Sequence, residues 1–318
     1  MLLSGENIIN GYRIERLNHN RLKDMAQLYE AVYDKVLPVY YFVRKYNTAY
    51  TKVMYTGFLA YDKNNQPAAY YGVIPCFIQY NHELVLAGQS ADTMTHPEHR
   101  NKGLFVLLAK FAYDLCRNEN IKLVFGFPNQ NSLPGLVNKL GWQVTGFLER
   151  FTILITTVPL ERLALKFEVL NGFYKAYIKH VLKKLVLPQH GIPNSVFNAG
   201  SNGVYRSDEY LQYKTYNTTY TIKIGEAIVW FKIQNGFIVG DITGFENDFD
   251  NVIQALTRLA KKLGLQKLQF QVSYYTKLYT LLKVYSEPVP AFPIIIKDLG
   301  AGVDLKSLAF TFADIDIF

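Results

Sequence analysis

Cysteine is scarce in this sequence, and the two cysteines, Cys76 and Cys116, have no paired spacing. That scarcity excludes a disulfide framework and a cysteine-based structural zinc site, so we expect both to be small buried apolar residues and predict no metal. No apolar run reaches about 18 residues, which excludes a membrane-spanning helix. The first residues lack the basic start and apolar core of a signal peptide, and we therefore predict a cytoplasmic protein.

Charge is also sparse, since only 19% of the residues are charged while 49% are hydrophobic. Such a composition is globular and excludes a disordered chain. The formal net charge is +8, and a mild basic excess attracts phosphate-bearing ligands, nucleic acid or anionic membrane without choosing among them. Because Lys and Arg are scattered rather than clustered, we expect no nucleic-acid partner. The sequence leaves the oligomeric state open.

The order of predicted elements in the first half indicates an α/β domain. A helical period covers 21–46, and three antiparallel strands with turns at KNNQ and YNHE follow it as far as Thr95. Residues 103–117 return to the helical period, and a short strand, a short helix and a strand over 143–156 come next. This order predicts an α/β (α+β) fold with a mixed, mostly antiparallel sheet flanked by helices.

A helical period over 160–187 predicts one long helix with an apolar stripe and a basic face. A basic amphipathic helix is able to lie on a membrane, but we favour a connector packed against its own domains. The stretch PQHGIPNS then marks a linker. These features predict two domains, 1–157 and 201–318, joined by a connecting helix and linker over 158–200.

The second half repeats part of the first at an offset of 145 residues. The segment KLVFGFPNQNSLPGLV from Lys122 aligns with KLQFQVSYYTKLYTLL from Lys267, with Leu and Phe matched in both. Each segment follows a predicted helix of similar length. The alignment predicts a duplicated fold, and a chance match of two strand–helix segments is the alternative.

The stretch RNKG leads directly into the predicted helix LFVLLAKF, which begins near Leu104. The first backbone N–H groups of a helix have no partner within the helix, and the dipole makes this end positive. Gly103 lets a ligand approach the backbone, while Arg100 and Lys102 add positive charge. The arrangement is therefore suited to bind a pyrophosphate.

Two motifs together resemble the GNAT superfamily of acyl-CoA-dependent acyltransferases: HPEHRNKG after one strand, and N-x-x-x-G-x-x-x-K-L-G-W after the next. The resemblance covers roughly residues 10–157. It implies that acetyl-CoA is the cofactor and that the family loop Q/R-x-x-G-x-G/A binds its pyrophosphate. That loop here consists of Arg100, Asn101, Lys102, Gly103, Leu104 and Phe105, and Phe105 departs from the small residue of the family.

The resemblance also implies further cofactor contacts. Met94, Thr95 and His96 at the end of the strand would pair by their backbone with the pantetheine arm and acyl amide, and Asn131 would contact the cofactor beyond the next strand. The family often has a tyrosine as general acid where this chain has Val137. Because valine cannot donate a proton, that role is absent or filled from elsewhere.

Acyl transfer needs a proton acceptor for the nucleophile, a polarised thioester carbonyl and a proton for the leaving thiolate. A backbone N–H near Thr95 would polarise the carbonyl. Asp92 on the same strand is our candidate base, with a structural carboxylate as the alternative. His96 is the second candidate, with a turn residue as the alternative. The carboxylate of Phe318 would take part only if the apolar tail folded back.

The second half lacks the loop, because Phe245-Glu246-Asn247-Asp248 stands where the offset of 145 places Arg100 to Gly103. Two carboxylates at a helix start repel phosphate, so we predict a degenerate second GNAT-like domain. The sequence thus predicts an acetyl or short-chain acyltransferase acting on an amine or hydroxyl of a small molecule, peptide or sugar. The alternatives are a non-catalytic acyl-CoA-binding or regulatory module, and a Fem-type aminoacyl transferase.

Overall fold

A computed structural model describes residues 7–318 and divides the chain into two compact units. Unit 1 extends to Thr145 and takes in Ile294–Leu305, whereas unit 2 comprises Gly146–Pro293 and Lys306–Phe318. The strands are β1 Asn7–Ile9, β2 Tyr12–Arg16, β3 Thr56–Tyr61, β4 Pro67–Tyr80, β5 Glu83–Thr95, β6 Leu123–Gly126, β7 Gln143–Leu154, β8 Gly203–Val204, β9 Tyr220–Ile224, β10 Ala227–Ile233, β11 Phe237–Thr243, β12 Lys267–Ser273 and β13 Val289–Asp298. The α-helices are α1 Leu22–Tyr33, α2 Val39–Lys45, α3 Leu104–Asn118, α4 Leu160–Lys166, α5 Glu168–Leu182, α6 Asp208–Tyr213, α7 Phe249–Lys262 and α8 Lys277–Leu282.

Unit 1 is a mixed, mostly antiparallel sheet, as the sequence predicts. Strands β1 to β5 pair antiparallel with their neighbours in chain order, and β5 pairs parallel with β6. The single helix predicted over 21–46 is wrong, because α1 ends at Tyr33, left-handed Asp34 caps it, and α2 begins only after Pro38. A left-handed residue closes a helix, and proline favours the start of the next one.

The last strand of each unit comes from the opposite half of the chain. In unit 1, Ile295 of β13 pairs antiparallel with Gly126 of β6. In unit 2, Leu154 of β7 pairs antiparallel with Lys267 of β12. The sequence analysis predicts β7 but neither its partner nor β13, because partners of strands so far apart in the chain are selected by packing rather than by local pattern.

The core of unit 1 lies between the sheet and α3, which buries Leu104, Leu108 and Leu115 as the helical period predicts. Both cysteines are buried and free, and burial raises the pKa of the Cys116 thiol to about 12. A chain of hydrogen bonds crosses this core. Trp142 Nε1 donates to Tyr113 Oη at 2.7 Å, and Tyr113 Oη lies 2.8 Å from Tyr71 Oη.

We expect Tyr113→Phe to lower the free energy of unfolding by about 1–3 kcal/mol, because it leaves the buried N–H of Trp142 without its acceptor. Tyr174 is the matched control, since its side chain is only half-buried and its hydroxyl donates to a backbone carbonyl. Urea unfolding of Tyr113→Phe and Tyr174→Phe measures both losses. Equal losses would show that the buried chain contributes no more than a surface hydrogen bond.

Unit 2 has the sheet order β7, β12, β11, β10, β9, in which only β11 and β12 are parallel. Its core lies against α7, which buries Val252, Ile253 and Leu256. The single helix predicted over 160–187 is wrong, because Phe167 adopts an extended conformation between α4 and α5. The predicted apolar stripe is buried only in part, at Ile178.

The C-terminal segment is anchored where β11 and β12 separate. Their parallel pairing ends at Val239 and Phe270, and beyond it Thr311 bridges to Val272. The ring of Phe318 lies on Gly240, where a Cβ atom would come within 2.1 Å of it. The tail is therefore buried in unit 2.

None of the helices described in residues 7–318 has both the length and the apolar composition that spanning a membrane requires.

Candidate functional site

The segment between β5 and α3 in unit 1 carries the predicted phosphate loop. It begins with one turn of 3-10 helix, Pro97–His99, continues through extended Arg100, and has left-handed conformations at Asn101 and Gly103. Gly103 is the N-cap of α3, with φ of 77° and ψ of 1°. Glycine and asparagine tolerate this region, which explains these residue types at these two positions.

The backbone N–H groups of six consecutive residues, 101–106, donate no hydrogen bond of ordinary geometry to another described residue. The first bonded amide of α3 is that of Leu107, which donates to the carbonyl of Gly103 at 3.0 Å. The helix start predicted at Leu104 is thus confirmed. Unpartnered amides at the positive end of a helix form an anion-binding surface.

The surroundings of these amides are open and basic. Arg100 and Lys102 are exposed and have no ion pair within the described part of the chain. A Cβ atom built on Gly103 would have no atom within 4 Å. Both the charge and the space of the loop are therefore available to a phosphate group.

Strands β5 and β6 separate beside this loop. Their parallel pairing covers only Ala87–Gln89 and Leu123–Phe125, while β5 continues to Thr95. The Nε2 atom of Gln89, at the point of separation, is buried and has no hydrogen-bond partner in the described structure. An orphaned buried donor is costly unless a ligand or water satisfies it. The feature of the fork that suits a ligand is the backbone of β5 beyond Gln89, which has no pairing with β6.

The three residues at the end of β5 that are predicted to contact pantetheine differ in the direction of their backbone N–H groups. The N–H of His96 donates to the carbonyl of Ala68 on β4 at 2.8 Å, and Met94 lies opposite Tyr70 on the same strand. Because the hydrogen-bonding direction alternates along a strand, the N–H groups of Met94 and His96 face β4. The N–H of Thr95 points to the opposite side, towards the fork.

A β-bulge shapes β5 just before this point. Tyr70 faces Met94 and Gly72 faces Ala91, so that Asp92 and the residue after it oppose a single residue of β4. Asp92 has a positive φ of 51°. Bulges re-aim side chains and are frequent next to active sites.

The carboxylate of Asp92 is held by α2 and the residue that follows it. Oδ2 lies 2.7 Å from Nζ of Lys45, which is fully buried, and accepts a hydrogen bond of 2.9 Å from Tyr46 Oη. Burial, followed by the Asp92 charge, raises the pKa of Tyr46. Lys45 and Tyr46 are not among the site residues predicted from the sequence, although a lysine within the aromatic run VYYFVRKY is a signal of a paired charge.

His96 caps the 3-10 turn, and its Nδ1 accepts from the N–H of Glu98 at 3.3 Å. This bond places the proton of the neutral ring on Nε2, which is then a donor. His99 Nδ1 lies 2.8 Å from Tyr12 Oη. Ligand atoms of His96, Glu98 and His99 lie within 4.8 Å of one another, a grouping that the prediction of no metal did not consider.

Phe105, which replaces the small residue of the family loop, packs away from Gly103. Its ring meets Tyr71 edge-on at 5.8 Å between centroids. A Cβ atom on Gly135 would lie 3.0 Å from the Phe105 ring. The bulk of Phe105 is therefore accommodated by the missing side chain of Gly135.

The short helix predicted after β6 is a π-helix, Gly135–Lys139, which contains Val137. π-Helical turns are rare and occur often at functional sites. Asn131 is exposed, and the turn before the helix is held by Asn129, whose Oδ1 accepts the N–H groups of Asn131 and Ser132. The role of Asn131 stays a prediction.

Residues 13–145 match the family model described as "Acetyltransferase (GNAT) domain". This part of the chain belongs to the GNAT superfamily. The match ends at Thr145, where the first segment of unit 1 also ends. The superfamily and the fold class predicted from the sequence are confirmed, whereas the duplication stays a prediction.

Solved structures are similar in fold. A protein from Enterococcus faecalis V583 described as a "probable N-acyltransferase" has a TM-score of 0.58 at 13% identity, covering 91% of this chain and 73% of its own. A GCN5-related N-acetyltransferase from Kribbella flavida gives 0.58 at 10% identity, with 91% and 72% covered. One from Anabaena variabilis ATCC 29413 gives 0.57 at 13%, with 90% and 72% covered. Comparison with curated proteins gives no match.

Proposed function

We propose that the chain transfers an acetyl or other short acyl group from acyl-CoA to an amine or hydroxyl of a small molecule, peptide or sugar. The GNAT match supports acyl transfer in general. The observation that carries the finer proposal is the run of unpartnered amides at 101–106, beside exposed Arg100 and Lys102. Together they suit the pyrophosphate of a coenzyme A thioester.

The fork between β5 and β6 suits the rest of the donor. The outward N–H of Thr95 is available to the pantetheine arm or to the thioester carbonyl, because β5 has no partner strand on that side beyond Gln89. In acyl transfer the acceptor forms its new bond to the acyl carbon while the carbon–sulfur bond breaks. The acceptor loses a proton to a base, and the thiolate gains one.

Two residues are candidates for these proton transfers. Asp92 lies in the bulge, but its Oδ2 atom is engaged by Lys45 and Tyr46, so it acts through water or by holding the bulge in shape. His96 presents Nε2–H as a hydrogen-bond donor; to protonate the leaving thiolate, its ring must first take up the proton that the acceptor loses, at Nδ1, and give up the hydrogen bond that Nδ1 accepts from the N–H of Glu98. The family tyrosine is replaced by Val137, which leaves that role to His96 in this proposal.

Unit 2 is, in our proposal, a degenerate copy of the GNAT domain. Helices α3 and α7 begin at Leu104 and Phe249, 145 residues apart, and each follows an antiparallel strand pair and precedes a parallel strand. Asp248 caps α7 and Asp250 lies in its first turn, so this helix start repels phosphate. The C-terminal tail already lies where β11 and β12 separate. The boundaries 1–157, 158–200 and 201–318 stay predictions.

The reaction is tested by the release of free thiol from acetyl-CoA in the presence of a panel of amines, amino sugars and peptides. We expect Asp92→Asn and His96→Gln each to lower kcat by about 10²–10⁴-fold if they transfer protons. His99→Gln is the matched control on the same turn. A pH profile that keeps its shape in both variants would assign Asp92 and His96 a structural role.

Two observations favour a second candidate, a non-catalytic acyl-CoA-binding module. Val137 cannot act as an acid, and the carboxylate of Asp92 is already held by Lys45. Binding of acetyl-CoA without thiol release on any acceptor would favour this module over the transferase.

A further inference from the structure

Unit 2 exposes a group of large apolar side chains on α4, on the first half of α5 and on the junction between them. Six such residues lie within 163–173, and each is between 39% and 79% exposed. Single exposed apolar residues are ordinary, whereas several so close together along the chain point to an interaction surface. This apolar ridge consists of Leu163, Leu165, Phe167, Val169, Leu170 and Phe173.

Helix α5 has two apolar faces, of which only one is packed. Its second half is fixed to unit 2, because Ile178 and Leu182 are buried and Tyr174 Oη donates to the carbonyl of Leu263 at 3.0 Å. Val169 and Phe173 lie one turn apart on a different face of the helix. This second face explains why apolar residues recur along α5 at more positions than the core of unit 2 buries.

The unpacked face is open within the described structure. A Cβ atom built on Gly172 would have no atom within 4 Å. Phe173 and Val169 are 74% and 79% exposed. No segment of the described chain therefore covers this part of the ridge.

The charge around the ridge is strongly positive. Residues 160–187 contain six Lys and Arg but only two Glu, and one of the two, Glu161, accepts hydrogen bonds from the backbone of Asn235 and Gly236. Half of the net charge of the chain thus lies in this short segment. Lys175 and Lys179 are both exposed and lie one turn apart on α5.

We propose that the apolar ridge docks peripherally on an anionic lipid membrane. Exposed Phe, Val and Leu side chains with adjacent lysines are what a helix needs to lie in the membrane interface, since the side chains enter the acyl boundary and the lysines attract anionic headgroups. A second copy of the chain fits less well, because a twofold contact places this positive segment against itself. The apolar ridge shares no residue with the proposed acyl-CoA site, and its proposed role does not depend on acyl transfer.

Sedimentation of the full chain with vesicles of 30% phosphatidylserine and 70% phosphatidylcholine tests the proposal. We expect binding that weakens at least about tenfold in pure phosphatidylcholine or at 0.5 M NaCl. The pair Val169→Asp and Phe173→Asp should weaken it by a similar factor or more. The matched control is Val284→Asp, which places the same charge at an exposed valine elsewhere in unit 2.

A label at Gly172→Cys reports the insertion directly, because Cys76 and Cys116 are buried. An environment-sensitive dye at this position should shift to shorter wavelength on the anionic vesicles. Three results overturn the proposal: no vesicle binding, binding that Val169→Asp and Phe173→Asp leave unchanged, or a dimer that these substitutions dissociate while vesicles do not bind. Thermal unfolding of the double variant checks that it folds, since both side chains are exposed.

Discussion

Replacement of Arg206 by leucine is expected to lower the free energy of unfolding by about 3–5 kcal/mol, because it leaves two buried carboxylates without their cation. The side chains of Arg206, Asp241 and Asp314 are all fully buried. Nη1 of Arg206 lies 2.7 Å from Oδ2 of Asp241, and Nη2 lies 2.8 Å from Oδ1 of Asp314. No other single contact in the described chain links so much buried charge.

The cluster fixes the C-terminal segment to unit 2. Arg206 Nη2 also donates to Thr311 Oγ1 at 2.8 Å, and the N–H of Thr311 donates to Oδ2 of Asp314 at 2.8 Å. Burial raises the pKa of Asp314, and the Arg206 charge opposes this shift. Without the guanidinium, like charges on Asp241 and Asp314 would face each other in a low-dielectric interior.

Urea unfolding measures the loss, with Arg258→Leu as the matched control, because Arg258 is exposed on α7 and has no ion pair in the described structure. We expect Arg206→Lys to lose less than Arg206→Leu, since a lysine keeps one charge but not the fork that reaches both carboxylates. If Arg206→Leu lost no more free energy of unfolding than Arg258→Leu, this would contradict the assignment of Arg206 as the cation that stabilises the two buried carboxylates.

The second large effect is expected at the phosphate loop. Arg100→Glu should weaken acetyl-CoA binding by about one to two orders of magnitude, because it removes a charge-assisted contact to phosphate and places a negative charge at the helix start. The fold should be unaffected, since Arg100 is exposed and has no ion pair in the described chain. Isothermal titration gives the affinity, and thermal unfolding checks the fold.

Arg117→Glu is the control for Arg100→Glu, because it makes the same change in net charge at the other end of α3. Arg117 is exposed, and its nearest acidic partner is Asp114 at 2.8 Å. We expect its effect on affinity to be within about threefold, since exposed charges more than about 10 Å apart are screened in salt. An equal loss of acetyl-CoA affinity in both variants would show that Arg100 acts only through the net charge of the protein.

The elements that local pattern determines were predictable from the sequence. The start of α3 follows from Gly103 and the apolar spacing after it, and the β4–β5 hairpin follows from the turn residues at 81–82. The free amides at 103–106 follow from the same helix start, whereas those at 101 and 102 depend on the conformation of the loop. Here the candidate site could be recognised before the structure because its main groups belong to the backbone of one short segment.

Contacts between distant residues were not predictable. Tyr46 and Asp92 are 46 residues apart, and nothing in the spacing associates them. The pairing of β13 with β6 and of β7 with β12 is set by packing over the whole chain. The break at Phe167 has no signal such as Gly or Pro beside it, and the structure gives no local reason for it.

Backbone-amide NMR of the chain during titration with coenzyme A tests the central claim most directly. The account predicts that shifts concentrate on the amides of residues 101–106 and of Thr95. The amides of residues 246–250, at the acidic start of α7, should not respond. Saturable binding that leaves 101–106 unchanged, or that shifts 246–250 instead, would contradict the account.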